Sequence, residues 1–287
     1  MSINFKNVFY TYSEKTPFRH EALKDVSLTI NDESFTCIVG HTGCGKSTLI
    51  QQLNGLLIPT SGSVDVNEYH IEKKSKSLKK LHNLRKEVGV VFQFSEYQLF
   101  EETIEEDVAF GPMNFGVKKE DALKIAHECL KTVGIPESYY KKSPFEISGG
   151  EKRRVAIAGI LALQPKTLVL DEPTAGLDPC GTKYILDLFK KLNEQGTTIV
   201  FVTHDINIVY EYATDVIVMN EGKVVMQTVP EKLFAEDVEQ YSLETPLIQK
   251  TVNLLLAKGM KLDVSKIRSL EDLVKEIARV RKWITFH

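Results

Sequence analysis

A glycine-rich stretch at residues 40–47 reads Gly-His-Thr-Gly-Cys-Gly-Lys-Ser and fits the pattern G-x-x-x-x-G-K-[ST]. An apolar, β-branched run precedes it at residues 35–39, and a helix candidate follows it at residues 47–53. In this setting glycines let backbone N–H groups curl around an anion, and the helix start adds further free N–H groups. The stretch therefore predicts a nucleoside triphosphate site rather than a chance glycine turn.

The side chains that end this loop indicate how the phosphates are held. We expect Lys46 to reach the β- and γ-phosphates and Ser47 to offer its hydroxyl to Mg²⁺. Because Cys44 lies inside the loop, a thiol reagent at that position is expected to block nucleotide. The other predicted nucleotide-binding residues of this stretch are Gly40, His41, Thr42, Gly43, Gly45 and Thr48.

The composition is that of an ordinary soluble globular protein, with 287 residues, 43% hydrophobic and 26% charged. This length leaves room for one large domain and a smaller one. The net charge of −3 gives no global attraction to nucleic acid or anionic lipid. We expect no membrane-spanning segment and no secretory signal, because no apolar run is long enough. The 4 cysteines lack C-x-x-C spacing, which indicates reduced thiols rather than a disulfide framework or zinc site.

The N-terminal part of the chain alternates between apolar and polar residues. Residues 3–12 and 22–30 predict two strands of an antiparallel sheet that leads into the phosphate-loop strand. Tyr12 could stack on a nucleotide base, or it could be a half-buried strand aromatic. Ser61-Gly62-Ser63 predicts a turn before a short strand at residues 64–66.

A basic stretch at residues 72–86 contains 7 lysine or arginine residues. Nucleic-acid binding is one interpretation of such a run. Aromatic residues for base stacking are not interleaved with these charges, so we predict a solvated surface helix or loop instead. No nucleic-acid partner is expected.

Three apolar runs predict buried strands that each end in a polar residue. The first ends at Gln93, the second at Asp171 and Glu172, and the third just before His204. Because open α/β sheets bind ligands at the carboxyl ends of their strands, these side chains are candidate site residues. Asp171 is expected to order the Mg²⁺ shell, Glu172 to act as the base for attacking water, and His204 to contact the γ-phosphate.

Between and beyond these strands the pattern becomes helical. Strand signals vanish over a predicted helical subdomain at about residues 103–163, where residues 119–133 have amphipathic helical spacing. Within it, Ser148 is an N-cap candidate before Gly149 and Gly150. This is either simply a capped helix or a second anion-binding helix start that lacks a lysine. The tail after Pro230 carries no chemical motif and predicts a packing or dimerisation element.

Taken in chain order, these motifs resemble those of the ATP-binding cassette (ABC) ATPases. The resemblance covers residues 1 to about 230 and is carried by Tyr12, the loop 40–47, Gln93, Ser148-Gly149-Gly150-Glu151, Leu170-Asp171-Glu172, Ala175-Gly176-Leu177-Asp178 and His204. It implies an α/β P-loop NTPase cassette at residues 1–230, with a mixed-sheet core, an antiparallel β subdomain and a helical subdomain. A C-terminal helical extension would occupy residues 231–287.

The resemblance also implies a role for each matched residue. ATP is expected to lie between two cassettes in head-to-tail order, with Tyr12 on the adenine and the loop amides and Lys46 on the phosphates. Ser47, Gln93 and Asp171 would organise Mg²⁺, Glu172 would activate water, and His204 would read the γ-phosphate. Ser148, Gly149 and Gly150 would cap the nucleotide of the partner, and Asp178 would communicate across the interface.

One residue departs from the family pattern. Glu151 stands where the generic signature has glutamine. An acid near the partner's γ-phosphate or ribose could weaken that site or only tune it.

A closer resemblance is to the second ATPase of energy-coupling factor (ECF) transporters. It is carried by residues 92–103, by residues 109–116, by Ser143-Pro144-Phe145-Glu146 and by the helical tail. It implies a peripheral protein on the cytoplasmic face of the cell membrane that powers uptake of vitamins or metal ions. The implied partners are a second ABC ATPase subunit, a transmembrane coupling subunit and a substrate-binding membrane subunit. The segment after Gln93 and the helical subdomain would grip the membrane partner.

Two other function classes fit a phosphate loop. A soluble ABC ATPase that acts on DNA or ribosomes usually has a coiled-coil insertion or tandem cassettes, and this chain shows neither. A phosphate-loop kinase would not need the Ser148-Gly149-Gly150 signature or the pair Asp171 and Glu172.

Overall fold

The computed structural model describes residues 2–74 and 78–285, so residues 75–77 of the basic stretch lie outside the described residues. In chain order the strands are β1 (Ile3–Tyr12), β2 (His20–Ile30), β3 (Phe35–Val39), β4 (Ser61–Val66), β5 (Tyr69–Glu72), β6 (Val88–Val91), β7 (Thr167–Asp171), β8 (Thr198–Val202), β9 (Asp215–Asn220) and β10 (Lys223–Thr228). The helices are α1 (Lys46–Leu53), α2 (Leu78–Glu87), α3 (Ile104–Asn114), α4 (Lys119–Thr132), α5 (Gly149–Leu161), α6 (Pro179–Glu194), α7 (Ile206–Tyr212), α8 (Pro230–Leu233), α9 (Leu247–Ala257) and α10 (Leu270–Thr285).

A 6-stranded sheet in the order β10-β9-β3-β8-β7-β6 forms the centre of the molecule. Its strands from β9 to β6 are parallel, and β10 pairs with β9 in antiparallel fashion. Every residue of β3, β6, β7 and β8 is buried. Continuous apolar strands are expected where both faces of a parallel sheet are covered. The carboxyl ends of β3, β6, β7 and β8 consequently meet at one edge.

A second sheet of 4 strands has the order β2-β1-β4-β5 and is antiparallel throughout. The predicted antiparallel pairing of the first two strands is therefore confirmed. The predicted turn at residues 61–63 is wrong, because β4 already begins at Ser61. Gly62 has a φ of +79° and lies so close to β1 that a Cβ there would overlap the carbonyl oxygen of Asn7. Glycine is needed at this position because β1 and β4 approach each other closely. In the sequence, a glycine between two serines resembles a turn.

Two apolar clusters cover the two faces of the central sheet. In β3 the side chains of Phe35, Cys37 and Val39 belong to the cluster beneath the helices α3–α7, and that of Ile38 belongs to the cluster beneath the antiparallel sheet and α1. This division follows from the alternation of side chains along a strand. Both faces of the central sheet are therefore packed against apolar clusters. This packing fixes the position of the edge where the strands end and the polar residues lie.

Helices α3, α4 and α5 lie where the helical subdomain was predicted, and α4 coincides with the amphipathic stretch. Helix α3 begins after Thr103, whose side chain accepts a hydrogen bond from the Glu106 N–H. In the described part of the basic stretch, α2 exposes His82, Arg85 and Lys86, as expected for a surface helix.

The C-terminal residues pack in two ways. Leu233, Phe234, Val238 and Leu243 join the large cluster of the cassette. Farther on, α9 and α10 share a small core of their own around Val252, Ile267 and Leu273. The boundary between residues 230 and 231 stays a prediction. None of the helices in the described part of the chain has the length and apolar character that a membrane crossing requires.

Candidate active site

The glycine-rich loop runs from the end of β3 to the start of α1. Gly40 has a φ of +145°, and a Cβ there would lie 2.8 Å from the Cys44 Sγ, so that position excludes a side chain. Gly45 is the N-cap of α1 in a left-handed conformation, with a φ of 105° and no side-chain cap hydrogen bond. The first N–H groups of α1 are therefore left for an anion, as at other phosphate-binding helix starts.

Lys46 lies across this loop and is held by its backbone. Its Nζ donates to the carbonyl oxygens of Gly40, at 2.7 Å, and His41, at 3.0 Å. The Sγ of Cys44 lies 3.7 Å from the same Nζ, and the Cys44 side chain is fully buried. Packing against the loop therefore buries the sulfur, and the expected block of nucleotide by a thiol reagent at Cys44 stays a prediction.

A cavity of about 480 Å³ opens at the edge where the strands end. It collects residues from the antiparallel sheet, the loop and the ends of β6, β7 and β8. The lining residues are Tyr12, His20, Ala22, Thr42, Gly43, Gly45, Lys46, Ser47, Thr48, Gln93, Asp171, Glu172, Val202 and His204. Residues as far apart in sequence as Tyr12 and His204 thus line the same cavity.

The side chains of Ser47, Gln93 and Asp171 form an oxygen-rich corner of this cavity. Asp171, the last residue of β7, is 6% exposed and accepts a hydrogen bond from Ser47. Burial raises the pKa of Asp171, and the Ser47 hydrogen bond partly opposes this effect. A carboxylate, a hydroxyl and an amide oxygen are the ligand types that Mg²⁺ prefers. These residues therefore fit the expected metal.

Glu172 and His204 face each other beside Lys46. The Nδ1 of His204 lies 2.8 Å from the Oε1 of Glu172, and the Glu172 side chain is largely buried while His204 is exposed. Glu172 has a φ of 49°, a left-handed conformation that is uncommon for a residue with a side chain. Its N–H donates to the Val202 carbonyl at 3.0 Å, which fixes the residue between β7 and β8. The pair has the geometry of a carboxylate base oriented by an imidazole.

The signature residues lie at the start of α5, outside this cavity. The Ser148 side chain accepts from the Glu151 N–H, and the Glu151 carboxylate accepts from the Ser148 N–H at 2.8 Å, which together make a capping box. The Ser148 N–H and the Ser148 hydroxyl both donate to the Glu151 carboxylate at 2.8 Å, and these two bonds lower the pKa of Glu151. Ser148 and Gly149 are exposed, and a Cβ placed on Gly149 would meet open space in the described structure.

The ABC transporter family matches residues 23–175 of this sequence. The energy-coupling factor transporter ATP-binding protein EcfA2 of Ligilactobacillus salivarius is 51% identical over 287 residues, which cover 98% of each chain. The protein of the same name from Streptococcus pneumoniae is 53% identical and covers 91% of this chain and 94% of its own. The chain belongs to the ABC transporter family. It is an ATP-binding cassette ATPase of the energy-coupling factor type, and the predicted family is confirmed.

Solved structures support the same fold. The structure of cbiO1 from Clostridium perfringens, described as part of the ABC transporter complex cbiONQ, is 39% identical with a TM-score of 0.73, and covers 89% of this chain and 96% of its own. The cassette MJ0796, in a dimeric post-hydrolysis state bound to ADP and Pi, is 34% identical with a TM-score of 0.71, and covers 79% and 98%. The predicted fold class, an ABC cassette with a mixed sheet, an antiparallel sheet and helical elements, is confirmed.

For Tyr12 the sequence left two roles open, stacking on a nucleotide base or packing as a half-buried strand aromatic. Its hydroxyl lies 3.1 Å from the Thr48 Oγ1, and its ring meets Tyr10 edge-on with centroids 4.8 Å apart. It is partly exposed at the rim of the cavity. Stacking on a base stays a prediction, and the position fits it.

Sequence reasoning missed His20 and Ala22, which line the cavity together with Ser47. His20 pairs with Tyr12 across the β1–β2 hairpin. The pairing register of β1 and β2 could have identified both positions, because it places residues that belong to no motif beside Tyr12.

Arg153 is a further residue whose structural role the sequence motifs did not indicate. It is 4% exposed and donates to the Glu96 carboxylate through Nε at 3.0 Å and Nη2 at 2.7 Å. Its Nη1 also donates to the carbonyl oxygen of Ala175. One buried guanidinium thus joins the segment after Gln93 and the loop after Glu172 to the signature helix.

Asp178 serves a local role in the described chain. Its Oδ1 accepts from the Gly181 N–H at 2.7 Å, which caps the start of α6. Its predicted role in communication with a partner stays a prediction.

Proposed function

We propose that the chain binds ATP with Mg²⁺ in the cavity at the strand ends and hydrolyses it as one subunit of an ECF importer. The observation that carries this proposal is the Glu172–His204 pair, which faces the same cavity as Lys46 and Asp171. Phosphate-binding and water-activating groups are held there by neighbouring strands, which is what hydrolysis of a triphosphate requires.

Each group has a defined task in this reaction. The Lys46 ammonium and the amides at the start of α1 bind the phosphate oxygens, and the Glu172 carboxylate accepts a proton from the attacking water. His204, hydrogen-bonded to Glu172 at 2.8 Å, fixes the direction of that carboxylate. Ser47, Gln93 and Asp171 would hold Mg²⁺, which supplies charge neutralisation at the phosphates when bound. Water attack on the γ-phosphorus then releases ADP and phosphate.

The signature residues serve a nucleotide that is held by a second cassette. Ser148 and Gly149 are exposed and lie outside the cavity, and the start of α5 has no counterpart of Lys46. Such a helix start can contribute to an anion site, but the lysine in its first turn, Lys152, lies over the Phe145 ring rather than across a phosphate loop. The partner is therefore a second ABC ATPase subunit in head-to-tail order, and this chain caps the ATP of that subunit.

The membrane partner binds at the groove between the central sheet and the helical subdomain. Val91, Leu99, Phe110 and Leu163 are among its lining residues. Tyr97, 83% exposed, and Phe94 and Phe100 extend an aromatic surface next to it. Aromatic groups of this kind favour a protein interface. We place the chain on the cytoplasmic face of the membrane, bound to a transmembrane coupling subunit and to subunits that capture vitamins or metal ions.

The first test replaces the proposed base. Glu172→Gln removes proton acceptance, so ATP binding should persist while hydrolysis falls by roughly a hundredfold or more. With ATP the variant should accumulate as a closed pair of cassettes, measured by light scattering. Glu33→Gln is the matched control, because Glu33 also has a left-handed φ, of 57°, but is exposed at a distant turn. Normal hydrolysis by Glu172→Gln would remove Glu172 as the base.

The second test concerns the assembly. The chain is isolated from its native membranes in mild detergent, and the proteins that accompany it are identified by mass spectrometry. A second cassette with a multi-helix membrane protein is the expected result, and small membrane proteins in the same fraction would identify the substrates. Recovery with ribosomes or DNA from the soluble fraction would overturn the transporter role and leave the ATPase chemistry intact.

A further inference from the structure

A second cavity, of about 460 Å³, lies on the Glu172–His204 side of the nucleotide site. One wall is catalytic and includes Lys46, Glu172 and His204. Another wall comes from the segment 242–247, which ends at the first residue of α9 and contributes Ser242, Leu243, Glu244, Thr245 and Leu247. The C-terminal extension, which carries no motif, thus contributes directly to the surroundings of the catalytic pair.

The segment 242–247 is built into the cassette at both ends. Leu243 is buried in the large apolar cluster that also contains Ile206, Ile208 and Val209 of α7. At the other end, the Leu247 N–H donates to the Asn207 Oδ1 at 2.9 Å. This bond caps the start of α9, where Pro246 provides no side-chain acceptor. The wall is therefore fixed to the helix that follows His204.

Asn207 continues this connection toward the catalytic pair. Its N–H and Nδ2 donate to the Asp205 Oδ1 at 2.9 and 3.0 Å, and Asp205 is the residue next to His204. The far end of α7 is held by the extension as well, because the Arg268 Nη1 donates to the Ala213 carbonyl at 3.2 Å. Helix α7 is thus held by the extension at both ends.

We propose that the segment 242–247 is a wall of the ATP site, and that Asn207 is a positioning residue that ties the extension to His204. This inference rests on the proposed ATP hydrolysis and adds a role for the extension. Because the wall faces Glu172 and His204 rather than the adenine side, it should affect turnover more than ATP affinity. A bound γ-phosphate would in turn order the wall.

The first test is hydrogen–deuterium exchange on the full chain, with and without a nonhydrolysable ATP analogue and Mg²⁺. Amides in the loop 40–47 and in the wall 242–247 should both become protected, while those of α10 should not. Protection of the loop without the wall would overturn this inference and leave ATP binding intact. If neither segment is protected, the proposed function itself fails, and the inference with it.

The second test compares two variants in the assembled complex. Asn207→Ala removes two side-chain hydrogen bonds, to the Leu247 N–H and to the Asp205 carboxylate, and should lower kcat by roughly three- to tenfold with KM for ATP nearly unchanged. Gln249→Ala is the matched control, because Gln249 makes a comparable side-chain bond from α9, with its Nε2 donating to the Phe234 carbonyl at 2.7 Å, a bond that involves no residue of α7. Gln249 is not part of the wall, and its variant should keep its kcat. Equal kcat values in both variants, or an equal fall in both, would overturn the positioning role of Asn207.

Discussion

Two helices of the cassette begin at glycines and are expected to meet phosphate, but their first turns are constructed differently. Helix α1 follows the left-handed Gly45 and has no side-chain cap. Helix α5 begins with a complete capping box between Ser148 and Glu151. The first helix leaves its N–H groups for a ligand, and the second satisfies part of its own. Of these two helix starts, the uncapped one at α1 is therefore the better candidate for the principal anion site.

The charges at the two helix starts also favour α1 over α5 as the principal phosphate site. Lys46 adds a cation to the loop before α1, and its Nζ is already directed by two backbone carbonyls. At α5 the Glu151 carboxylate accepts from the Ser148 N–H at 2.8 Å and adds a negative charge to the helix start. The signature helix therefore suits a nucleotide already bound elsewhere, and the following variants test that difference.

The strongest change should come from removing the cation of the first site. Lys46→Ala should weaken ATP binding by about 3 kcal/mol, roughly a hundredfold, because charge-assisted hydrogen bonds to the phosphates are lost. Isothermal titration calorimetry on the whole chain measures it. Lys152→Ala is the control, since Lys152 lies in the first turn of α5 over the Phe145 ring, at 5.4 Å. Equal losses in both variants would contradict the distinction between the two helix starts.

The next effect concerns what holds the signature helix in place. Arg153→Met should lower the free energy of unfolding by about 3 kcal/mol, because Glu96 is left as an unpaired, mostly buried charge. Adding Glu96→Gln should recover part of this loss, and denaturant titration measures all three chains. Lys124→Met, which breaks the exposed pair with Asp121, should cost less than about 1 kcal/mol. A similar cost for both single variants would show that the Arg153 network is not structural.

A smaller effect is expected from the cap of α5. Ser148→Ala removes the acceptor for the Glu151 N–H and should cost about 1 kcal/mol of stability. Ser47→Ala, in the first turn of the uncapped α1, removes no cap but takes a hydrogen bond from buried Asp171, so it should lower stability and also weaken Mg²⁺-dependent ATP binding. Thermal unfolding and calorimetry separate these outcomes. Unchanged Mg²⁺-dependent ATP binding in Ser47→Ala would contradict the assignment of the open helix start to the phosphates.

The weakest effect should come from the acid of the signature. Glu151→Gln keeps the capping acceptor and removes a negative charge, so ATP-dependent pairing with the second cassette should tighten about threefold. Analytical ultracentrifugation of the two cassettes with ATP measures the change. Weaker pairing would show that the acid assists the site instead.

The same residue makes a prediction for pH. Because the Ser148 hydrogen bonds lower the pKa of Glu151 below its ordinary 4.5, its stabilising contribution is present above pH 4.5 and is lost as pH falls through the lowered pKa. Denaturant titration of the natural chain and of Glu151→Gln, at several pH values, measures this contribution as the difference in unfolding free energy. The advantage of the natural chain should shrink toward low pH, and an advantage that grows there would contradict the capping role.

Local features made much of the site predictable. The glycine loop, the cap at Ser148 and the polar residues after apolar strands depend on short segments whose chemistry is readable in order. The same reasoning was wrong at Gly62, because a close approach between β1 and β4 needs glycine as much as a turn does. It also did not foresee that Cys44 is buried, because burial depends on packing that the loop sequence does not encode.

Neighbouring residues alone specify the phosphate loop, the two acids at a strand end and the capped signature helix, so the sequence by itself was enough to predict these features. Two other features emerged from the folded chain: Arg153 joins Glu96 to the Ala175 loop, and residues 242–247 form a wall beside His204. Those contacts join segments far apart in the chain, and their partners are selected by the stacking of layers around the sheet rather than by any local pattern.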